Sequence, residues 1–156
     1  MTDAPRRATS TEDWPAILQL IRTSFAFMDA RIDPPSSMHR LTAADIEAQN
    51  QTGEVWLIGA PVRACVFLTP TPTSLYIGKL AVDAAHRRQG LARRLIALAE
   101  ERARARALPV LELQTRVELV ENQQAFAAMG FVQTAATAHP GYDRPTSLTL
   151  QRRVRA

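Results

Sequence analysis

Apolar residues recur along the chain at two periods, and the switches between them mark out the elements. Ile17, Leu18, Leu20, Ile21 and Phe25 fall at helical spacing behind the start signal Ser10-Thr11-Glu12-Asp13, with Pro15 in the first turn. This predicts a helix reaching Met28, preceded by a short strand over residues 5–9. Pro34 and Pro35 forbid a regular helix over residues 30–42, which read as a loop holding Arg31, Asp33, His39 and Arg40. That loop is either solvated surface or the rim of a pocket. Thr42 then caps a second short helix over residues 43–49.

The period changes to that of strands at Gly53. EVWLIG, a tight Gly59-Ala60-Pro61 connection and VRACVFLTP read as an antiparallel hairpin, and Leu75–Val82 as a third strand. After Gly90, Leu91, Leu95, Leu98 and Ala99 share one helical face, and Arg93, Arg94, Glu100, Glu101 and Arg104 fall mainly elsewhere. Glu100 and Arg104 read as a surface pair serving solubility. Leu108-Pro109 ends that helix, and Val110–Arg116 alternates as a strand. A helix over residues 120–129 stops at Gly130. A strand opens at Phe131, a loop HPGYDRP follows, and SLTLQRRV is the last strand. Three strands in succession before a helix indicate an α+β or mixed sheet, not repeated β-α-β units.

Composition narrows the classes. A chain of 156 residues fits one domain, 1–156, and its 46% hydrophobic and 22% charged residues are ordinary for a globular protein. No apolar run approaches the roughly 20 residues of a membrane span, and the first residues lack the apolar core of a signal peptide, so a cytoplasmic location and no membrane partner are expected. The net charge of +4 comes from 18 arginines and a single lysine, Lys79, interspersed with 15 acidic residues. Zinc-finger spacing, RNP-like aromatics and basic-region heptads are all missing, so no nucleic-acid partner is expected. The lone Cys65, in an apolar run, reads as a buried thiol, a nucleophilic role being the alternative. With three histidines it makes no metal-ligand cluster, and no metal is expected.

The chemistry concentrates where the third strand meets the long helix, in LAVDAAHRRQGLARR. A glycine turn running straight into a helix presents unpaired N–H groups and the positive end of the helix dipole, which is an anion site. Arg87, Gly90 and Ala92 match the pattern Q/R-x-x-G-x-G/A. With the element order β-α-α-β-β-β-α-β-α-β-β and the Gly-Phe at residues 130–131, the chain resembles the GCN5-related N-acetyltransferase (GNAT) superfamily over nearly its whole length. The resemblance implies a mostly antiparallel, twisted central sheet of six to seven strands flanked by helices.

It also implies acetyl-coenzyme A as cosubstrate. Backbone N–H groups across Arg88, Gln89, Gly90, Leu91, Ala92 and Arg93, behind Arg87, would hold the pyrophosphate. Leu80, Ala81 and Val82 would offer backbone hydrogen bonds to the pantetheine arm and acetyl group. Many members carry a tyrosine four residues before the terminal Gly-Phe to protonate the departing thiolate. Here that residue is Phe126, and Asn122 stands where many members place a small residue. Tyr142 is the replacement candidate for the acid, and Glu118, ahead of Glu112, for the base. Asn122 is either a ligand of the arm or an exposed helix residue. His86 reads as a local turn residue, and His39 and His139 as loop residues without visible partners. The expected activity is direct acetyl transfer to a small-molecule amine by a monomer or homodimer. The alternative is a catalytically weak acyl-coenzyme A-binding or regulatory module.

Overall fold

The computed structural model describes residues 4–155, so residues 1–3 and 156 of the expected domain lie outside the described residues. The elements follow the expected order: β1 (Arg6–Arg7), α1 (Trp14–Phe25), α2 (Ala43–Thr52), β2 (Glu54–Ile58), β3 (Ala64–Pro70), β4 (Leu75–Val82), α3 (Leu91–Ala105), β5 (Val110–Arg116), α4 (Val120–Ala128), β6 (Val132–Thr137) and β7 (Ser147–Arg153). Seven strands form one mixed sheet in the order β1-β2-β3-β4-β5-β7-β6. Every seam is antiparallel except β4–β5.

Three elements depart from the sequence reading, one of them α2, which runs to Thr52, three residues past the expected Gln49. α1 ends at Phe25, three residues before the expected Met28, and passes into a 3-10 turn at Ala26–Met28 that buries no side chain. Nothing in the core pulls that extra turn into register. The expected loop also holds a 3-10 turn, Ser37–Arg40, where the Ser36 hydroxyl accepts the Met38 N–H and Met38 is buried. The cap on α2 is as expected. Thr42 and Asp45 exchange hydrogen bonds in a capping box, satisfying two N–H groups that would otherwise lack acceptors.

The sheet separates two cores. α3 packs Leu91, Leu95, Ile96 and Ala99 onto one face, against Ile58, Val66, Leu68, Leu75 and Ile77. α1 and α2 pack Ile17, Ile21 and Ile46 onto the other, against Val55, Leu57, Cys65 and Phe67. Along β4 the alternation breaks. Leu75 and Ile77 face α3, yet Ala81, which strict period-two alternation would put beside them, belongs to the opposite core. The β3–β4 register explains the switch: Cys65 pairs with Ala81 and Phe67 with Gly78, so two steps on β3 span three on β4. This is a bulge, and Lys79 at its centre sits in the left-handed region at φ 48°.

Two buried carboxylates anchor α3. Glu54, fully buried on β2, accepts hydrogen bonds from Arg102 at 2.9 and 3.1 Å, Arg106 at 2.7 Å and the Trp56 indole at 2.7 Å. Glu100 is also buried, which corrects its reading as a surface partner of Arg104. It accepts the Arg155 N–H at 3.0 Å and pairs with Arg152 at 3.3 Å, tying α3 to the end of β7. Helical spacing showed the Arg104 contact, at 3.6 Å, but not the arginines that close over Glu100 from the end of the chain.

Burial alone would raise the Glu54 pKa, but the hydrogen bonds from Arg102, Trp56 and Arg106 outweigh it and hold the group at about 2, against an ordinary 4.5. A depressed carboxylate contributes stability above its unfolded pKa and loses it as pH falls toward the folded value. Glu54→Gln is therefore expected to cost on the order of 3 kcal/mol at neutral pH. It should also flatten the decline of stability between about pH 4.5 and 2, read by denaturant melts across that range. An undiminished acid slope in the variant would contradict this account.

Candidate active site

β4 and β5 pair only at Leu75 with Leu111 and Tyr76 with Glu112. Beyond that point β4 stays with β3 through Val82, and β5 stays with β7 through Arg116. The two strands part, and a cavity of about 860 Å³ opens between them. Its floor includes Gly78, Lys79 and Leu80 of β4 and Leu113 to Arg116 of β5. One wall comes from the α1–α2 segment with Pro34, Ser37 and Arg40, and another from the β6–β7 loop with His139 and Tyr142.

The walls are tied together over long sequence distances. The Tyr142 hydroxyl donates to Asp33 Oδ1 at 2.5 Å, and Arg144 approaches the same carboxylate at 3.8 Å. Arg116 donates to the Pro34 and Pro35 carbonyls at 2.6 and 3.0 Å. Arg31 pairs with Glu121 at the start of α4. The proline-bearing segment is thus the rim of a pocket, the second of the two readings its sequence left open.

Beside this cavity, the β4–α3 connection makes the glycine turn. Arg88 and Gly90 are both left-handed, at φ 64° and 79°, and a Cβ on Gly90 would meet no atom within 4 Å. Glycine is required there by backbone angle, and the space in front of it is open. Gly90 is the N-cap and supplies no capping side chain. Arg94 N–H to the Gly90 carbonyl, at 3.0 Å, opens the helical ladder, so the N–H groups of Leu91, Ala92 and Arg93 precede it. Arg87 donates to the Ser24 carbonyl and lies over the Phe27 ring, bracing the turn against α1. Arg88, Gln89 and Arg93 are exposed.

Of the residues singled out from sequence, Leu80, Asn122, Phe126 and Tyr142 line the cavity. Ala81 is buried in the α1–α2 core and Val82 packs toward α3, leaving only their backbone to serve the gap. Phe126 meets Phe131 edge to face at 5.8 Å. Glu118 is outside the lining. Its Oε2 accepts the Asp33 N–H at 3.3 Å, and its Oε1 is buried without a hydrogen-bond partner. It makes no ion pair with Arg116, whose guanidinium donates to the two proline carbonyls. Glu112 accepts from Gln151.

The histidines need one correction. His86 is the expected turn residue, 3.0 Å from Asp83, but His39 and His139 do have partners: Asp29 at 2.8 Å and the Thr146 hydroxyl. Burial, with the Arg116 charge, lowers the His139 pKa, so the ring is neutral near pH 7. Cys65 is fully buried, its Sγ 3.6 Å from the Lys79 carbonyl, and burial pushes the thiol up to about 12. It is inert, as the apolar run suggested. Sequence reasoning passed over Lys79, Arg116 and His139 as cavity residues. Only Lys79 carried a signal, as the single lysine of an arginine-rich chain, set within an apolar strand. Among the described residues no group of side chains could hold a metal ion, and no helix is long and apolar enough to cross a membrane.

Comparisons with known proteins agree with this geometry. The model of a family described as acetyltransferase (GNAT) matches residues 14–131. Among solved structures, an acetyltransferase of the GNAT family from Staphylococcus aureus superposes with a TM-score of 0.76 at 13% identity, over 99% of this chain and 100% of its own. The ribosomal-protein-S18-alanine N-acetyltransferase of Escherichia coli gives 0.70 at 16%, over 98% and 94%. An acetyltransferase from Streptococcus agalactiae gives 0.73 at 17%, over 97% and 99%. These likenesses are of fold. No curated protein matches the chain in sequence.

The two tyrosines titrate for different reasons. Burial raises Tyr76, and the hydrogen bond to Asp33 raises Tyr142 above the usual 10. Asp33→Asn removes the charge that opposes the phenolate, so the Tyr142 transition should fall toward 10 while that of Tyr76 stays in place. Phenolate absorbance during an alkaline titration reads both, and two unmoved transitions would show that Asp33 does not hold Tyr142.

Proposed function

Since the chain belongs to the acetyltransferase (GNAT) family, we propose that it transfers the acetyl group of acetyl-coenzyme A directly to the amine of a small molecule, as one acetyltransferase domain, without a covalent enzyme intermediate. The observation that carries the reading is the parting of β4 from β5 after Tyr76, immediately beside an uncapped helix N-terminus entered through Gly90. A gap between strands suits an extended arm, and an open glycine at a helix N-terminus suits a pyrophosphate, so the residues present fit acetyl-coenzyme A.

In this reading the N–H groups from Arg88 to Arg93 hold the pyrophosphate, with the exposed Arg88 and Arg93 adding positive charge. The bound cosubstrate supplies an activated acetyl thioester. The backbone of Leu80, Ala81 and Val82, freed from pairing with β5, orients the arm. A backbone N–H aimed at the acetyl oxygen stabilises the negative charge that grows there as the amine attacks, worth roughly 3 kcal/mol per donor. Asn122 and Phe126 border the arm from α4. Tyr142 is the acid for the departing sulfur, its O–H breaking the hydrogen bond to Asp33 and giving its proton to the thiolate as it leaves. The neutral His139, which lines the cavity, is suited to take the proton from the amine, whereas Glu118, the base expected from sequence, is outside the lining.

A small acceptor is favoured because the Tyr142–Asp33 contact joins the two walls of the cavity and the Arg116–Pro34 contact ties one of them to its floor. The Escherichia coli neighbour is named for acetylating a protein alanine, and a comparable acceptor here would have to open those contacts. Phe126, lacking a hydroxyl, favours the second reading, a module that binds acyl-coenzyme A with weak turnover.

Thiol release from acetyl-coenzyme A in the presence of an amine panel tests the proposal. At least one amine should be acetylated, and Tyr142→Phe should lower kcat by ten- to a hundredfold, with the largest loss where free thiolate is least readily protonated by solvent. Gly90→Val should weaken coenzyme A binding at least tenfold in calorimetry, because a β-branched residue resists φ 79° and its side chain fills the open space. Binding without turnover on any amine would leave the module.

A further inference from the structure

The cavity is electrostatically one-sided. Arg40, Lys79 and Arg116 line it, and the lining contains no aspartate or glutamate. Lys79 reaches it from the β4 bulge, where its ammonium donates to the Ser37 hydroxyl at 2.9 Å. Arg116 donates only to the proline carbonyls. Among the described residues, neither cation has a carboxylate within ion-pair distance. The carboxylates whose charge reaches Arg116, those of Asp33 and Glu118, stay outside ion-pair distance of it: Asp33 is held by Tyr142 and Arg144, and Glu118 accepts the Asp33 N–H through Oε2 and leaves Oε1 without a hydrogen-bond partner. Both cations are partly withdrawn from water, and burial together with the Arg116 charge lowers the Lys79 pKa.

Charges kept half-buried and unpaired in a cavity are costly, and the usual remedy is a counterion. The glycine turn does not need these two. Arg88 and Arg93 at the start of α3 lie outside this lining, and Lys79 turns toward the α1–α2 segment, on the opposite side of the sheet from α3. The counterion expected here therefore belongs to the acceptor.

We infer that the acceptor is an amine that also carries an anionic group, a carboxylate or a phosphate, and that Lys79 and Arg116 bind that group and so determine specificity. This rests on the acetyltransferase reading of the same cavity. The anion end would meet the ammonium and guanidinium, whose fork suits a two-oxygen contact. The amine end would point back toward the gap at Leu80. The same positive field disfavours the ammonium form of the acceptor and favours the free amine, the form that attacks.

Paired substrates and the single lysine make this testable. Each L-amino acid is compared with its amide, and O-phosphoethanolamine with ethanolamine, by kcat/KM in the thiol-release assay. At least one anionic member should exceed its neutral counterpart by about a hundredfold, the order expected when a buried charge contact is lost, and Lys79→Met should collapse that ratio below about tenfold. Equal use of both members, or an equal loss on both in the variant, would overturn the inference. The wild-type protein carrying labelled lysine gives one side-chain NMR signal, from Lys79. With coenzyme A bound, this signal should move on adding the preferred anionic amine and stay unmoved with its neutral partner. If coenzyme A binds but no amine is acetylated, the acetyl-transfer reading fails by itself. The lysine signal then decides the anion site: a shift with any anionic probe, and none with its neutral partner, supports it, and no shift with any probe overturns it.

Discussion

Two residues of pairing between β4 and β5 organise the molecule. A parallel seam that continued to Val82 would close the sheet and leave no space at its centre. The seam stops after Tyr76, and β4 then takes an extra residue at Lys79, turns its side chains over and stays with β3 through Val82. That bulge places apolar side chains in both cores while exposing the backbone of Leu80 to Val82 along the gap. It also lifts the chain's one lysine into the cavity. The gap, the cavity and its cationic wall are three features of one irregular strand.

The glycine turn depends on that geometry being rigid. α3 is held at its far end by Glu54 through Arg102 and Arg106, and along its flank by Glu100 through Arg152 and Arg155. Each buried carboxylate is surrounded by arginine, so desolvation is offset by several charge-assisted hydrogen bonds. Arg87 adds a brace to α1 at the near end. Part of the arginine-rich chain's positive charge therefore serves structure. Lys79 and Arg116, which stand outside this pairing, line the cavity.

The order of elements and the mixed sheet were legible in the sequence, because period-two and helical spacing alternate cleanly and Gly90 sits where a positive φ demands glycine. The Thr42 cap was legible from its local chemistry. What stayed hidden depends on distance along the chain. Tyr142 and Asp33 are 109 residues apart, and Arg106 and Glu54 are 52 apart. The bulge was hidden for a different reason. Lysine carries no preference for φ 48°, so the strand read as regular, and Ala81 could not be foreseen in the opposite core from Ile77. Glu100 looked solvated because one helix shows only its own i,i+4 partner.

The most direct test is a crystal structure of the protein with coenzyme A. The account predicts the pyrophosphate against the N–H groups of Arg88 to Arg93, and the pantetheine arm along Leu80 to Val82 in the gap between β4 and β5, with the sulfur facing the cavity that holds Lys79, Arg116 and Tyr142. A pyrophosphate bound away from the start of α3, or an arm lying outside the β4–β5 gap, would contradict it.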